Sequence, residues 1–540
     1  MSDPLAASRR RFLKQTAALW GLSNAGLAGM LAARAAPAAV IGDRPSVEQG
    51  LQIGDVLADR AIVWSRTDRP ARLLVEWDSS DSFANAKQVR GPHALEVTDF
   101  TARVDLTGLP RDQDIFVRVK FQGLDASGAQ SDSVIGHFRS APRKKRDICF
   151  VWSGDTAGQG WGINPDFGGM KIYESMRKLQ PDFFIHSGDN IYADGVILPT
   201  VTLADGSTWR NLTTPAKSKV AETLPEFRGN YLYNLLDDNL RRFNAEVAQI
   251  WQWDDHEVLN NWSPGKDLST DARYTEKSIQ ALVGNAQRAF LEYAPMRWHD
   301  QEESERVYRR IPYSGLLEVF VLDMRSYRGP NTFNRQDAPS ADTVYLGRPQ
   351  IDWLKASLKQ SRATWKVIAS DMPLGLIVAD GQDAQGRDRF ENSANGDGPV
   401  LGREFEIAEI LKFIKRSEID NVIWITADVH YCAAHYYDPA KAVFKDFAPF
   451  WEFVAGPLNA GTFGPNPLDN TFGPQVVFQK APPAGQSNLP PSAGFQFFGE
   501  VCIGSRSRDM IVTLKDIDGA QVFSQRLHAR HSERWEHDED

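Results

Sequence analysis

Four short blocks dense in acidic and histidine side chains constrain this chain more than any other feature: Ser153-Gly154-Asp155, His186-Ser187-Gly188-Asp189-Asn190-Ile191-Tyr192, Trp253-Asp254-Asp255-His256-Glu257 and Thr426-Ala427-Asp428-Val429-His430. Three of them follow apolar runs rich in β-branched and aromatic residues, at 147–152, 181–185 and 421–425, so each carboxylate begins where a buried strand ends. Any one block alone would suit a turn, a helix cap or a solvated charge cluster. Four of them in a chain with only 10 histidines point instead to metal ligands gathered on rigid strand ends.

Hard cations take carboxylate, phenolate and imidazole donors, and one carboxylate can bridge two ions. Asp189 is the bridging candidate. Gly188 beside it lets the backbone turn sharply, and Tyr192 three residues later can swing back to the same point. The pattern Gly-Asp-x-x-Tyr suits a ferric site, for which phenolate is a hard ligand.

These blocks resemble the calcineurin-like metallophosphoesterases, and more closely the PhoD-type alkaline phosphatases. The family's marks continue through Leu322-Asp323-Met324-Arg325-Ser326-Tyr327-Arg328, Leu346-Gly347 with Gln350 and Trp353-Leu354, and Trp451-Glu452-Phe453-Val454 running into Gly456-Pro457-Leu458. The resemblance implies an α/β (α+β) fold, a two-sheet sandwich flanked by helices, which hydrolyses small phosphate monoesters with a metal-activated water. Two cations about 3.5–4 Å apart lower the pKa of such a water and neutralise charge on the phosphoryl oxygens. Ferric iron and calcium are the implied pair, with Asp155, Asp189, Tyr192 and His430 on one metal and Asp189, Asp255 and Asp428 on the other. His256 would contact the phosphoryl group or protonate the leaving alkoxide. Asn190 would hold the phosphate where some relatives carry a basic residue. Arg325 would either do the same or be pinned to a buried carboxylate such as Asp323, and His186 and His435 would stand behind the ligands. Many PhoD-type enzymes place a cysteine in the first block; here the segment is Trp152-Ser153-Gly154-Asp155-Thr156, which makes Asp155 the first ligand and shifts the site toward hard donors. A phosphodiesterase or phospholipase D acting on lipid headgroups is the rival reading. A binding protein with a decayed phosphatase fold is a third, opposed by the near-complete ligand set.

At the N-terminus, Ser8-Arg9-Arg10-Arg11-Phe12-Leu13-Lys14 is a twin-arginine signature, followed by a mildly apolar stretch and the small-residue segment at 33–36. Residues 1–36 therefore read as a cleaved export signal handled by the twin-arginine machinery, and the mature protein as periplasmic or secreted. Glycines and Asn24 leave the apolar run weak for spanning a bilayer. The net charge of −9 argues against nucleic acid as a partner. Cys149, Cys432 and Cys502 form an odd, widely spaced set that implies no disulfide framework and reads as core packing, with Cys432 close to the last block.

Residues 45–140 show short alternating strands between Asp, Gly and Pro turns, which look like a fibronectin- or immunoglobulin-type β-sandwich. A basic link at 142–146 leads into the catalytic domain, 147–525, where strands alternate with helical patterns at 169–179, 224–242, 275–293, 351–360 and 403–416. A hairpin turning at Asp518-Gly519 closes it, before a charged tail at 526–540. Two long irregular stretches, 192–217 and 459–492, are candidate lids or substrate walls; the second carries Phe463, Phe472 and Phe478.

Overall fold

The computed structural model describes residues 44–142, 146–299 and 303–530. The leader assigned to 1–36 lies outside them, as do most of the basic link and the tail from 531 onward. Among the described residues no helix is long and apolar enough to cross a membrane.

The N-terminal strands are β1 (Leu51–Gly54), β2 (Arg60–Arg66), β3 (Ala71–Asp78), β4 (Lys87–Ala94), β5 (Thr101–Thr107), β6 (Asp114–Gly123) and β7 (Val134–Arg139). The catalytic segment adds β8 (Ile148–Ser153), β9 (Phe183–Ser187), β10 (Thr200–Thr202), β11 (Thr208–Arg210), β12 (Ala248–Gln252), β13 (Arg309–Ile311), β14 (Leu317–Val321), β15 (Trp365–Ala369), β16 (Ala379–Gln382) and β17 (Asp388–Phe390). It ends with β18 (Val422–Thr426), β19 (Cys432–Tyr437), β20 (Phe450–Val454), β21 (Pro474–Lys480), β22 (Phe497–Ile503), β23 (Met510–Asp516) and β24 (Gln521–Leu527). Two large sheets form the body, one in the order β24-β23-β22-β8-β9-β12-β1-β2-β5, the other β13-β14-β15-β18-β20-β19-β21.

Why the apolar runs are continuous follows from what each face meets. On β8, Phe150 and Trp152 enter the core between the two sheets, while Val151 faces a second core under helices α1 (Ile172–Lys178) and, beyond the intervening helix α2 (Leu224–Asn234), α3 (Asp238–Glu246). On β18, Ile423 and Ile425 point between the sheets; Trp424 points outward. With α4 (Ile279–Tyr293) packing elsewhere, it is α5 (Arg348–Gln360) and α6 (Glu404–Arg416) that cover that outer face. Strands buried on both faces leave no polar positions to alternate. The pattern expected as one helix at 224–242 is two, because Asp237 caps a new start by accepting from the amides of Asn239 and Leu240.

The N-terminal sandwich exists, yet its two sheets differ in status. The order β4-β3-β6-β7 is its own sheet, whereas β1, β2 and β5 extend the catalytic one, with β1 parallel to β12. One core runs through both. Trp64 donates to the Glu292 carbonyl at 2.7 Å, and Asp55 pairs with Arg309 at 2.8 Å. The 45–140 segment is thus built into the catalytic sheet.

Two further expectations are corrected. Cys149 and Cys502, directly opposite on β8 and β22, form a disulfide across 353 residues. Cys432 is buried on β19, where its thiol faces the Lys480 carbonyl. The terminal hairpin is present, but β24 pairs as far as Leu527 with Met510, so the tail begins later than 526.

Candidate metal centre

β8, β9 and β12 run parallel to one another, as β18 does to β15, and all four blocks leave the C-terminal ends of these strands, including the third, which follows the fully buried run of β12. Ligands in α/β sheets gather at such ends. Asp155, Asp189, Asp428 and His430 have φ of 69°, 52°, 66° and 60°. Side chains other than glycine seldom adopt this left-handed backbone, and its repetition marks a site where side-chain direction is enforced by the surrounding fold.

Asp155, Asp189 and His430 each offer a ligand atom within 4.8 Å of the others. His430 Nδ1 faces the Gly461 carbonyl, which leaves Nε2 directed at the cluster. Tyr192 Oη lies 2.7 Å from that Nε2. Burial lowers His430 to about 4, so the ring is the neutral imidazole a metal requires. Glycine makes these approaches possible: a Cβ on Gly158 would stand 2.5 Å from the Tyr192 ring, and one on Gly456 would stand 2.3 Å from Asp155 Oδ2.

Asp189, Asp255 and His256 make a second group, and Asp254, Asp255 and Asp428 a third, each within 4.8 Å. Asp189 and Asp255 are therefore the shared carboxylates. Asp428 meets Asp254 and Asp255, the latter its expected companion, and Asp255 links it to the group of Asp189. Arg325 is fully buried beside them; its guanidinium contacts Asp254 at 2.6 Å, Glu391 at 2.6 Å, Asp371 at 3.4 Å and Asp255 at 3.8 Å.

The donor set fits cations. Neither oxygen of the buried Asp155 has a well-formed hydrogen bond, although the Asp428 amide approaches it. Burial first, then repulsion among the carboxylates, holds Asp155, Asp189, Asp254 and Asp428 well above the usual range despite relief from His256 and Arg325. Asp255 is the exception. Burial works to raise it too, but His256, Arg325 and the Asn261 amide outweigh that and hold it at about 2. Carboxylates packed with so little positive charge call for metal ions.

A family model described as "PhoD-like phosphatase" matches residues 150–514, and one for the "PhoD-like phosphatase, N-terminal domain" matches 33–142. The chain belongs to the PhoD-like phosphatase family. Alkaline phosphatase D of Bacillus subtilis (strain 168) is 24% identical over 485 residues, covering 84% of this chain and 77% of the relative. The solved structure of PhoD superposes with a TM-score of 0.65 at 18% identity, covering 90% of this chain and 93% of that one. A purple acid phosphatase, PPD1 from yellow lupin (Lupinus luteus) seeds, gives 0.53 at 12% identity, covering 90% and 74%. At these identities the two structures speak for the fold alone.

Within this PhoD-like site the six predicted ligands converge, Asn190 is turned away from the role of phosphate contact, and of the two roles open to Arg325 the one formed is pinning to buried carboxylates. The Asn190 amide donates to the Gln252 carbonyl at 2.6 Å and to Glu257 at 2.9 Å, with its oxygen turned into the interior. Arg325 is consumed by buried carboxylates. The Asp323 side chain instead takes the backbone amides of Arg325 and Ser326. His186 does stand behind the ligands, 3.0 Å from Thr156 Oγ1, whereas His435 is bonded to Glu452. Phe463 packs on His430 with ring centres 5.4 Å apart and walls the site; Phe472 joins the core, and Phe478 stacks on Phe523.

Three residues in supporting roles escaped the sequence reading. Asp194 Oδ1 lies 2.7 Å from His256 Nδ1, and its other oxygen accepts from the Asn260 amide. Glu257, raised to about 7 by burial, accepts from the Asn190 amide at 2.5 Å and the Asp254 amide at 2.8 Å, tying the second block to the third. Lys217, lowered to about 7 by burial, donates to the Tyr192 carbonyl at 2.7 Å. Glu257 stood inside a block already noted; the spacing of Asp194 and Lys217 gave no signal.

Proposed function

We propose that this chain is a metal-dependent phosphatase of phosphate monoesters, in which Asp155, Asp189, Tyr192 and His430 hold ferric iron and the oxygen-rich side of Asp189, Asp255 and Asp428 holds calcium. The observation that carries the reading is the convergence of the four strand-end blocks on Asp189 and Asp255. When bound, the metals supply a water of lowered pKa and neutralise phosphoryl charge. A phenol, an imidazole and hard carboxylates suit ferric iron, and an all-carboxylate set suits calcium.

The chain's own chemistry centres on His256. Burial would lower its pKa, but Asp194, Asp255 and Asp189 outweigh that and raise it well above the ordinary imidazole value. Its Nδ1 proton goes to Asp194, leaving the Nε2 proton for the departing alkoxide. Its backbone amide donates to Asp189 Oδ1 at 3.1 Å, and its ring lies on Tyr192 with centres 4.2 Å apart, so the acid is fixed against the metal-binding loop. The His256 side chain remains 12% exposed, enough to meet a substrate.

Turnover of p-nitrophenyl phosphate against its bis-ester, by protein purified without chelator in calcium-containing buffer, tests the assignment. Monoester preference supports the phosphatase. Diester preference moves it to a phospholipase-like phosphodiesterase, and activity on neither overturns it. Export by the twin-arginine route belongs to the same proposal. The Arg9-Arg10 pair supports it, and so does the Cys149–Cys502 bond, which suits an oxidising compartment. Replacing both arginines by lysine should leave the protein unprocessed in the cytoplasm; normal processing would sink the export reading.

A further inference from the structure

Between the nine-stranded sheet and helices α2 and α3 lies a cavity of about 20 Å³, walled in part by Gln52, His186, Asn190, Tyr231, Asn244 and Trp251. Five side-chain atoms on the residues of its wall are buried without a hydrogen-bond partner among the described residues: Gln52 Oε1, His186 Nδ1, Asn190 Oδ1, Tyr231 Oη and Asn244 Oδ1. They come from three separate places in the chain. Gln52 belongs to N-terminal strand β1, His186 and Asn190 lie on and just after β9, on either side of the shared ligand Asp189, and Tyr231 and Asn244 project from α2 and α3.

The amide of Asn190 cannot turn to suit itself. Its nitrogen is committed to Gln252 and Glu257, and its backbone carbonyl accepts from Asn234 Nδ2 at 2.7 Å. Its oxygen therefore faces the cavity. Buried polar atoms are rarely left unpaired, and a cavity of this size with several convergent polar groups holds a water molecule. No aspartate, glutamate, lysine or arginine lines the wall, so nothing there would balance a buried ion.

We propose that this cavity binds one ordered water, which donates to Asn190 Oδ1 and Gln52 Oε1 and accepts from Tyr231 Oη, with Asn244 completing the wall. The water braces the loop from Gly188 to Tyr192 from behind, and through it the N-terminal sandwich supplies a positioning residue, Gln52, to the metal centre.

A crystal structure of the full metal-loaded protein should show one density peak with contacts near ~2.8 Å to Asn190 and Tyr231. A dry cavity overturns the proposal, and so does a peak with contacts near ~2.4 Å, which would mark a cation. Tyr231→Phe and Gln52→Leu remove two of the partners. Each should release metal to a chelator at about tenfold lower chelator concentration, as loss of support behind a ligand does, and lower kcat with KM unchanged. Unchanged metal retention and kcat in both variants would overturn the positioning role even with the water present. Should Tyr231→Phe fail to fold, Gln52→Leu and the density of the unaltered protein decide the question.

Discussion

On one side of Asp189, the buried Asp155 stands with His430 and the Tyr192 phenol, and no arginine or lysine among the described residues pairs with it; on the other, Asp254, Asp255 and Asp428 gather around the fully buried Arg325. Both sides take carboxylates out of water, which is costly without a counter-charge. The Arg325 side carries a permanent cation in its fold. The Asp155 side has an uncharged imidazole and phenol as its neighbours and only the more distant charge of His256 for relief, so most of its compensation is left to metal. The difference teaches that the two halves should respond in opposite ways when a charge is removed.

The largest effect is expected where the halves meet. Asp189→Asn takes a shared ligand from both, and kcat on p-nitrophenyl phosphate should fall by at least about a thousandfold, roughly 4 kcal/mol in the barrier. Elemental analysis should show both metals depleted. Loss of one alone would mean that Asp189 serves a single side. Next comes the comparison of signs in chelated protein. Arg325→Met strands Asp254 and Glu391 and should cost about 3–5 kcal/mol in denaturant unfolding. Asp155→Asn removes a buried carboxylate that pairs with no arginine or lysine among the described residues, so it should raise chelated-protein stability while weakening metal binding. Destabilisation by both variants would erase the distinction between the halves.

The halves were unequally legible in the sequence. Strands β8, β9 and β18 declare themselves because apolar side chains fill both faces. Strand β12 is hidden by Gln249 and Gln252, whose buried amides bond to backbone carbonyls: Val247 for the first, Leu322 and Ala369 for the second. The six ligands could be found because each lies within a few residues of a strand end. The partners of Arg325 could not, since Asp254, Asp371 and Glu391 approach it from distant segments on neighbouring strand ends. The same limit concealed the 353-residue disulfide and the merging of β1, β2 and β5 into the catalytic sheet. Alternation tells which face a residue occupies, not which strand lies beside it.

A smaller effect should follow from Asp194, which touches the comparison only through His256. Asp194→Asn keeps the shape but removes the largest of the charges that hold His256 protonated. A poor leaving group such as an alkyl phosphate should lose about a hundredfold in kcat, and p-nitrophenyl phosphate, whose leaving group needs little protonation, about tenfold or less. The alkaline limb of the pH profile should move to lower pH. Equal losses on both substrates would remove His256 from the role of acid.

The smallest effect is a change in how stability follows pH, and it tests whether metal is the missing charge. Asp155, Asp189, Asp254 and Asp428 have folded-state pKa values raised above their unfolded ones. Groups of that kind support the fold at pH below the ordinary carboxylate range near ~4, and the support is lost as pH rises toward the folded values. Chelated protein should therefore lose Tm as pH rises from about 5 to 8. Metal-loaded protein should not, because the cations replace the protons and bind more tightly as the carboxylates ionise. The gap in Tm between loaded and chelated samples should thus widen with pH. In Asp155→Asn it should widen less, because one of the raised carboxylates is gone. In Arg325→Met it should widen more, because Asp254 loses the counter-charge of Arg325. Parallel Tm curves for loaded and chelated protein across that range would mean that the buried carboxylates are compensated by the fold itself, on both sides alike.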